Sequence, residues 1–288
     1  MTKDITVILG ATGIGKSQLA LTLAKEQNAH IISADAFQVY KGMDIGTAKV
    51  SKKEQAEVPH YLIDIKTPDQ SYSVVEFLKK ANQIIQDLRK TATPIIICGG
   101  TAFYLRAFLH HYKFDSTDQS QKETRHILEQ RLKKEGAQSL WKELQNIDPE
   151  MAAIVDIQNH RRLIRALEIY HTTGKQPSSF RTHSEDPRHD CHIIGLTTDR
   201  EKIYDRINIR VLDMIKKGFI EEVEALLEHY PENSSGFNAL GYPQCIDYLK
   251  GSISKEEMIQ SIQTLTRRFA KRQLTWYKRF KNVHWQEI

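Results

Sequence analysis

The chain has 288 residues, of which 40% are hydrophobic and 27% are charged, and its formal net charge is +5. This composition is typical of a globular protein with a substantial core, and no apolar run is long enough to cross a bilayer. Three isolated cysteines exclude a zinc finger built from cysteine pairs and argue against a disulfide framework; they are Cys98, Cys191 and Cys245.

The N-terminus leads directly into the first predicted strand, Ile5–Leu9, and leaves no room for a signal peptide, so we expect a cytoplasmic protein. The next stretch, Gly10–Ser17, has the sequence GATGIGKS and fits the phosphate-loop pattern G-x-x-x-x-G-K-[ST]. The helical segment Gln18–Lys25 follows it. A strand, a glycine loop and a helix N-terminus in this order direct backbone N–H groups and the helix dipole at one anion. The alternative, a glycine-rich turn without a ligand, is disfavoured by both flanking segments.

This loop predicts a site for a diphosphate or a polyphosphate. The Lys16 ammonium is expected to contact the terminal phosphates, and the Ser17 hydroxyl is expected to bind Mg²⁺, the cofactor predicted from the sequence. The residues predicted to form the phosphate-binding loop are Gly10, Ala11, Thr12, Gly13, Ile14, Gly15, Lys16 and Ser17.

Strands and helices then alternate along the chain. A second strand ends just before Asp35, and the polar connection Phe37–Lys49 follows without helical periodicity. This alternation predicts an α/β fold: a P-loop kinase-like parallel sheet covered by helices on both faces. The predicted segments are strand Ala29–Ser33, a helix opened by a capping box at Ser73 and ending near Arg89, strand Ile95–Cys98 and helix Ala102–Leu109.

From about Asp115 the pattern becomes helical, and strand character returns only at His192–Leu196. We interpret residues 115–186 as an all-helical insertion domain in an α/β core formed by residues 1–114 and 187–288. The remaining tail is predicted to be helical, and its last helix begins with a capping box at Ser254. Apolar residues at helical spacing in that helix are expected to face the core: Ile262, Leu265, Phe269, Trp276 and Phe280.

The position of one carboxylate bears on the chemistry. Motor and switch NTPases carry a magnesium-binding aspartate on the strand beside the phosphate loop, but the strand ending at Cys98 has none. The carboxylate follows the second strand instead, at Asp35. Since groups at the carboxyl ends of parallel strands line the ligand crevice, Asp35 is expected to face the group acceptor as a general base. A helix-capping or magnesium-associated aspartate is the alternative.

Arg206 and Arg210 lie four residues apart on the helix predicted after the strand at 192–196, so both project from one side. Two arginines beside a phosphate loop would neutralise charge on a leaving diphosphate. Exposed helix arginines without such a role are the alternative. The apolar neighbours Ile207 and Val211 favour a helix that packs on the core.

Two segments of the chain are strongly basic. Residues 158–181 hold five Lys or Arg and one acid, and residues 261–288 hold seven Lys or Arg and one acid. Such clusters are typical of surfaces that bind a nucleic-acid backbone, and also of solvated helix faces. On the last helix Arg268, Arg272 and Arg279 adjoin the predicted apolar face, where they are expected to meet an anionic partner.

Six motifs between Gly10 and Arg279 resemble, in family order, those of the bacterial tRNA dimethylallyltransferases (tRNA isopentenyltransferases): GATGIGKS, SADAFQVYKGMDIGTAK, CGGTAFYLRA, NHRRLIRALE, GYPQ and AKRQLTWYKR. The resemblance implies transfer of a dimethylallyl group from dimethylallyl diphosphate to the exocyclic amine of the adenosine 3′ of the anticodon in tRNA. Diphosphate would be the leaving group and magnesium the metal. One departure is Ala36, where many relatives have serine, and it removes a hydroxyl from the base pocket.

The resemblance also implies roles for individual residues. Asp35 would take a proton from the adenosine amine, Thr12 would help to position it, and Arg210, with Arg206, would stabilise the departing diphosphate. The positions that match tRNA-approaching or base-approaching positions of the family are Asp35, Ala36, Phe37, Gln38, Thr101, Arg125, Arg161, Arg162 and Arg165. The expected partners are tRNA, through its anticodon stem-loop, and dimethylallyl diphosphate; no membrane is expected, and the chain is expected to be a monomer.

Three other functions compete with this one. A phosphate-loop kinase acting on a small molecule would fit the fold and the loop, but it leaves the helical insertion and the basic tail unexplained. A prenyltransferase acting on free AMP or ADP would not need the basic surfaces either. A non-enzymatic RNA-binding protein gated by a nucleotide would not need Asp35 in the pocket.

Overall fold

The computed structural model describes residues 4–112, 122–180 and 186–288, and it divides into two compact units. The first unit comprises Met1–Leu109 and Asp186–Ile288, and the second comprises His110–Glu185. The predicted boundary between residues 114 and 115 falls outside the described residues, so the extent of the insertion domain stays a prediction.

Within the described part of the first unit, six parallel strands form one sheet. They are β1 (Ile5–Leu9), β2 (His30–Ser33), β3 (His60–Tyr61), β4 (Ile95–Cys98), β5 (Cys191–Thr197) and β6 (Val283–Glu287). Their order across the sheet is β3-β2-β4-β1-β5-β6. Because β2, β4 and β1 are parallel neighbours, their carboxyl ends meet at one edge, which is where a ligand crevice forms in open α/β sheets.

Twelve α-helices occur among the described residues. They are α1 (Lys16–Gln27), α2 (Lys52–Glu57), α3 (Val74–Lys90), α4 (Ala102–Leu109), α5 (Lys122–Glu135), α6 (Ala137–Ile147), α7 (Pro149–Ile154), α8 (His160–Thr173), α9 (Arg200–Lys216), α10 (Phe219–Leu227), α11 (Tyr242–Leu249) and α12 (Lys255–Tyr277). The predicted α/β fold with helices on both faces is confirmed. The prediction of an entirely helical tail is wrong, because β6 pairs in parallel with β5 at the edge of the sheet.

Successive side chains of β4 point to opposite faces of the sheet, as strand geometry requires. Ile95 and Ile97 pack into one apolar core with side chains of α3 and α4. Ile96 and Cys98 pack into a second core with α1, α9 and α12. Both faces of the sheet are therefore covered, which explains why the central strands are continuous apolar runs rather than alternating ones.

Side-chain oxygens cap the N-termini of α3 and α12. At α12 the capping box is complete, since Ser254 Oγ accepts from the Glu257 N–H and the Glu257 carboxylate accepts from the Ser254 N–H. At α3 the Ser73 Oγ accepts from the Glu76 N–H, whereas the Glu76 carboxylate pairs with Lys66 at 3.0 Å.

The buried face of helix α12 overlaps the predicted one but is rotated from it. Of the five apolar residues predicted to face the core, Ile262 and Phe280 are buried, and Leu265, Phe269 and Trp276 are only partly buried. Phe280 lies beyond the helix end at Tyr277. The residues that the helix itself buries are Met258, Ile262, Ala270, Gln273 and Tyr277. The buried face carries a small residue, Ala270, and an amide, Gln273, where the helix approaches the sheet. Because neither is a large apolar residue, the apolar spacing pointed to the neighbouring face.

Helices α5 to α8 form the second unit and enclose a core of their own. Its centre consists of five leucines, which lie at helical spacing on α5, α6 and α8: Leu128, Leu140, Leu144, Leu163 and Leu167. Asp148 begins α7 by accepting a hydrogen bond from the Met151 N–H at 3.0 Å. None of the helices among the described residues of either unit combines the length and apolar character that a bilayer crossing requires.

Candidate active site

A cavity of about 650 Å³ opens at the carboxyl ends of β1, β4 and β2. This volume lies within the usual range for small-molecule sites. The phosphate loop lines one side of the cavity, Asp35 and the Gly99–Gly100 turn line another, and α9 contributes a third side. Three segments that are far apart in sequence therefore converge on one space.

The phosphate loop has the backbone geometry that the motif requires. Gly15, with a φ of 103°, lies in the left-handed region, which glycine adopts without strain, and it immediately precedes α1. The first N–H groups of α1 have no partner within the helix, so they and the helix dipole favour an anion at this end. Of the eight loop residues, those that line the cavity are Thr12, Gly13, Gly15, Lys16 and Ser17.

Gly10, Ala11 and Ile14 were predicted as phosphate-loop residues but do not line the cavity. The side chains of Ala11 and Ile14 are buried in the core beneath the loop. A Cβ at Gly10 would lie 2.8 Å from the Ile14 side chain, so only glycine fits there. These three residues shape and anchor the loop from below.

The Lys16 side chain is buried, and its Nζ donates a hydrogen bond to the Ala11 carbonyl oxygen at 2.9 Å. The pKa of Lys16 is lowered to about 8, mainly by burial and also by the nearby Arg210 guanidinium, while Cys98 and Asp35 oppose the shift. Because desolvation disfavours the charged form, an anion bound in the loop would stabilise the ammonium that burial destabilises.

The Ser17 side chain is exposed and lines the cavity at the start of α1. Among residues 4–112, 122–180 and 186–288, no group of three or more His, Cys, Asp or Glu side chains is arranged so that it could hold a metal ion. Magnesium needs no such cluster, because it keeps several water ligands and is bound by one or two protein oxygens together with substrate phosphates. The Ser17 hydroxyl beside an anion-binding loop fits that donor set.

Asp35 follows β2 directly and is held by three backbone groups. Its Oδ1 accepts hydrogen bonds from the N–H groups of Phe37 at 2.9 Å and Gln38 at 3.3 Å, and its Oδ2 accepts from the Gly100 N–H at 3.2 Å. Each carboxylate oxygen has further lone pairs, so these bonds orient the group and leave it able to accept a proton. The bonds to Phe37 and Gln38 close a turn and cap no helix, because the first helix after β2 is α2, which begins at Lys52; the helix-capping alternative is therefore wrong.

The turn after β4 approaches the turn after β2 very closely. A Cβ at Gly99 would lie 2.2 Å from the Ala34 carbonyl carbon, so any larger residue would push the two strand ends apart. Thr101 joins the same turns, since its Oγ1 accepts a hydrogen bond from the Ala36 N–H at 2.9 Å. The close approach places Asp35 on the wall of the cavity that the phosphate loop also lines, with β4 between β2 and β1.

The other predicted base-contacting residues mainly shape the Asp35 turn. Among Ala36, Phe37, Gln38 and Thr101, Gln38 is the one that lines the cavity. Its amide accepts a hydrogen bond from Ser33 Oγ at 3.0 Å and donates to two carbonyls of the loop after β2, at Thr47 and Ala48. Gln38 therefore joins the end of β2 to the cavity wall formed by that loop.

Helix α9 presents two arginines to the cavity, as predicted from their spacing. Arg206 is exposed and Arg210 is partly buried. Burial lowers the pKa of the Arg210 guanidinium, and the Asp35 carboxylate opposes that shift. Sequence reasoning missed Lys217, which adds a further cation at the cavity wall; its i+7 spacing from Arg210 was the available signal.

Cys98 also lines the cavity, at the end of β4. Burial raises the pKa of its thiol to about 11, so the thiol stays protonated at neutral pH. A protonated thiol is a poor nucleophile. A covalent intermediate on Cys98 is therefore disfavoured, and the cavity suits direct transfer between two bound substrates.

Gln273 on α12 is the main site residue that sequence reasoning missed. Its side chain is 2% exposed; its Oε1 accepts a hydrogen bond from the Thr12 N–H at 2.8 Å, and its Nε2 donates to the Gly100 carbonyl at 2.6 Å. This bond occupies the backbone N–H of Thr12, a residue of the predicted phosphate-binding loop. A polar residue on the buried side of α12 was the signal, and hydrophobic periodicity does not select such a residue.

The arginines predicted to bind tRNA differ in their surroundings. In the first unit, Arg268, Arg272 and Arg279 are exposed. In the second unit, Arg161 and Arg162 are exposed, whereas two arginines face the buried carboxylate of Glu168. Their distances to Glu168 Oε2 are 4.0 Å from Arg125 Nη1 and 3.2 Å from Arg165 Nη1.

A phosphate loop, a carboxylate and two arginines around one cavity, at the carboxyl edge of a parallel sheet, define a P-loop kinase-like transferase. A family model described as IPP transferase matches residues 38–280. The chain belongs to this family, the tRNA dimethylallyltransferases, as the resemblance of its motifs predicted.

Individual relatives agree with this assignment over nearly the full chain. The tRNA dimethylallyltransferase of Thermoanaerobacter sp. (strain X514) is 45% identical over 290 residues, covering 99% of this chain and 92% of the relative. That of Bacillus cereus (strain AH187) is 41% identical over 287 residues, covering 99% and 90%.

Two solved structures are similar as well. The full-length tRNA isopentenylpyrophosphate transferase of Bacillus halodurans has a TM-score of 0.71 at 38% identity, and the match covers 99% of this chain and 90% of that one. A eukaryotic dimethylallyltransferase acting on tRNA has a TM-score of 0.84 at 28% identity, covering 98% and 73%.

Proposed function

We propose that the chain transfers a dimethylallyl group from dimethylallyl diphosphate to the exocyclic amine of the adenosine 3′ of the anticodon in tRNA. The observation that carries this proposal is the convergence of a carboxylate and a glycine-rich loop on one cavity. Asp35 and Lys16 both line it, at the edge of the sheet where β2 and β1 end on either side of β4. One cavity can thus hold a diphosphate leaving group and the amine that displaces it.

The names of the relatives support tRNA as the acceptor. The enzymes of Thermoanaerobacter and Bacillus cereus are named tRNA dimethylallyltransferases, and the solved eukaryotic structure is of a dimethylallyltransferase acting on tRNA. These relatives favour transfer to tRNA over phosphorylation of a small molecule and over prenylation of free AMP or ADP.

The reaction exchanges one bond for another. The adenosine amine nitrogen forms a bond to the first carbon of the dimethylallyl group, and the bond from that carbon to the diphosphate oxygen breaks. The proton lost by the amine goes to the Asp35 carboxylate, whose orientation is fixed by the N–H groups of Phe37, Gln38 and Gly100. A general base positioned in this way contributes about 10²–10⁴-fold to the rate.

The diphosphate gains negative charge as the carbon–oxygen bond breaks. The Lys16 ammonium, the N–H groups at the start of α1 and the Arg210 guanidinium lie where they can bind that charge. The Ser17 hydroxyl would hold Mg²⁺ together with diphosphate oxygens, and the ion would supply further neutralisation of the leaving group.

We further infer that the exposed arginines bind tRNA through its phosphates. A base in a folded loop must leave its stack to enter an enclosed cavity, and protein contacts to the flanking backbone hold it in that state. The exposed arginines that could make these contacts are Arg161 and Arg162 of the second unit and Arg268, Arg272 and Arg279 of the first. Because the proposed acceptor is tRNA, we also propose that the chain acts in the cytoplasm. We propose that it acts there as a monomer.

The proposed function is tested by incubating the protein and Mg²⁺ with labelled dimethylallyl diphosphate and unmodified tRNA. AMP is supplied as an alternative acceptor, and ATP is supplied as a competitor of the donor. We expect label in tRNA, none in AMP, and no displacement of the donor by ATP at equal concentration. Label found only in AMP would support the free-nucleotide enzyme, and ATP-dependent phosphorylation of a small molecule would support a kinase.

A further inference from the structure

Gln273 makes two long-range side-chain contacts in the site, and they join helix α12 to two cavity-lining loops. Its Oε1 accepts from the Thr12 N–H at 2.8 Å, and its Nε2 donates to the Gly100 carbonyl at 2.6 Å. Both partners are backbone groups with fixed hydrogen-bonding roles, so the orientation of the amide is determined. The side chain is 2% exposed, so water does not compete for these bonds.

The contact connects the two halves of the proposed reaction centre. Thr12 belongs to the loop that would hold the diphosphate, and Gly100 donates its own N–H to Asp35 Oδ2 at 3.2 Å. A continuous series of hydrogen bonds therefore runs from the phosphate loop through Gln273 and Gly100 to the general base. Both bridged residues line the cavity, whereas the Gln273 side chain is not among the lining residues.

We propose that Gln273 is a positioning residue that sets the distance between the phosphate loop and Asp35. The proposal rests on the proposed function, since it concerns the alignment of the donor carbon with the acceptor amine. Alignment of two reactants contributes a large part of enzymatic rate, and a misplacement of about 1 Å can cost about 10²-fold. Gln273 would thus act on the rate of transfer through Thr12 and Gly100, without touching either substrate.

The chemistry of the side chain explains why glutamine suits this position. Only a side chain with an acceptor and a donor on one group can bridge an N–H and a carbonyl, and the amides of Asn and Gln meet that condition. A carboxylate could accept from the Thr12 N–H, but when ionised it would repel the Gly100 carbonyl. A protonated carboxyl group could do both, because its O–H donates.

The test compares matched variants of α12 in the full chain. Gln273→Met keeps the length of the side chain and removes both hydrogen bonds. Gln263→Met is the control, because Gln263 lies on the same helix and donates to the Asn208 carbonyl at 3.2 Å, away from the cavity. Single-turnover transfer at saturating dimethylallyl diphosphate and tRNA, donor and tRNA affinities, and thermal melting are measured for both variants.

We expect Gln273→Met to lower the single-turnover rate about 10- to 100-fold. Its affinities for donor and tRNA should stay close to those of the wild type, and the rate of Gln263→Met should stay close to the wild-type rate. A third variant, Gln273→Glu, adds a measurement of the pH dependence of the transfer rate, which would not change if Gln273 had a purely structural role. Its rate relative to the wild type should rise as the pH falls and the new carboxyl group becomes protonated.

Two results would overturn the inference. One is a rate loss in Gln273→Met no larger than in Gln263→Met. The other is a ratio of Gln273→Glu to wild-type rates that does not change with pH. A wild-type protein that transfers no label to tRNA is a separate result, which would overturn the proposed function and remove the basis of the inference with it.

Discussion

The carboxylate of Asp35 and the backbone N–H of Gly100 lie 3.2 Å apart, which joins the ends of the neighbouring strands β2 and β4. Gly100 permits this contact because a Cβ there would lie 2.9 Å from Asp35 Oδ2. The carboxylate is thus fixed from one side by β4 and from the other by its own turn. This arrangement directs a rigid carboxylate into the same cavity as the phosphate loop.

We expect Asp35→Asn to lower the single-turnover rate of transfer to tRNA by about 10²–10⁴-fold, because the amide keeps the shape of the carboxylate but cannot accept the proton. Affinity for dimethylallyl diphosphate should change little, since the loop supplies the contacts to the diphosphate. Quenched-flow measurement at saturating substrates gives the rate. A variant with a near-normal rate would remove Asp35 from the mechanism.

Donor binding should weaken as the pH rises through about 8. Burial lowers the pKa of Lys16 to about 8 in the free protein, and a bound diphosphate would raise it, so binding takes up a proton at higher pH. Affinity should be independent of this group below pH 8 and fall by up to about tenfold per pH unit above it.

Calorimetric titration with dimethylallyl diphosphate over this pH range measures the effect, with Lys16→Met as the control that lacks the titrating group. The variant should bind weakly at every pH and show no step near 8. A wild-type affinity that does not change above pH 8 would contradict the assignment of Lys16 as a charged ligand of the diphosphate.

The two arginines of α9 should differ in importance. Arg210 is partly buried beside Lys16 and Asp35, where charge interactions are strong, whereas Arg206 is exposed and screened by solvent. Arg210→Gln should lower the transfer rate by about 10²–10³-fold, the usual effect of losing one electrostatic donor to a leaving group. Arg206→Gln should cost at most about fivefold. Equal losses, or a larger loss at position 206, would contradict this ordering.

The tail arginines Arg268, Arg272 and Arg279 should contribute to the salt dependence of tRNA binding. Each genuine phosphate contact adds about 0.7–0.9 to the slope of log K against log salt, because it releases counterions. A triple substitution to glutamine should weaken tRNA binding and flatten that slope, and it should leave donor binding intact.

The control removes three lysines from the same segment of the chain, Lys271, Lys278 and Lys281. It matches the change in net charge and should flatten the slope less. If the two triple variants behave alike, the tail arginines act only through net charge. If neither changes the slope, phosphate contacts must come from the second unit, where Arg161 and Arg162 are exposed.

Much of the site could be predicted because its parts are local in sequence. The phosphate loop is a contiguous motif between β1 and α1, and Asp35 directly follows an apolar strand, so parallel-sheet geometry was enough to bring them together. Arg206 and Arg210 were correctly assigned to one face because helical spacing is regular. The phosphate loop, Asp35 and the arginine pair can each be recognised from residues that are close together in the sequence, and the fold then brings them to one cavity.

The features that were missed depend on contacts between distant segments. β6 is a short edge strand whose pairing with β5 joins segments nearly ninety residues apart, and its exposed side chains give no buried pattern. Gln273 bonds to Thr12, which is 261 residues away. A polar residue on a buried face is interpreted as solvent-facing unless its partners are known, so hydrophobic periodicity left Gln273 out of the buried face of α12.

Transfer to the exocyclic amine is tested most directly with an anticodon stem-loop RNA that has adenosine 3′ of the anticodon. In a matched RNA, purine riboside, which lacks the exocyclic amine, replaces that one nucleoside. Both are incubated with the protein, Mg²⁺ and dimethylallyl diphosphate, and their nucleosides are analysed by mass spectrometry. We expect one added dimethylallyl group on that adenosine, diphosphate released in equal amount, and no modification of the matched RNA. Modification of both RNAs, or modification at another nucleotide, would contradict it.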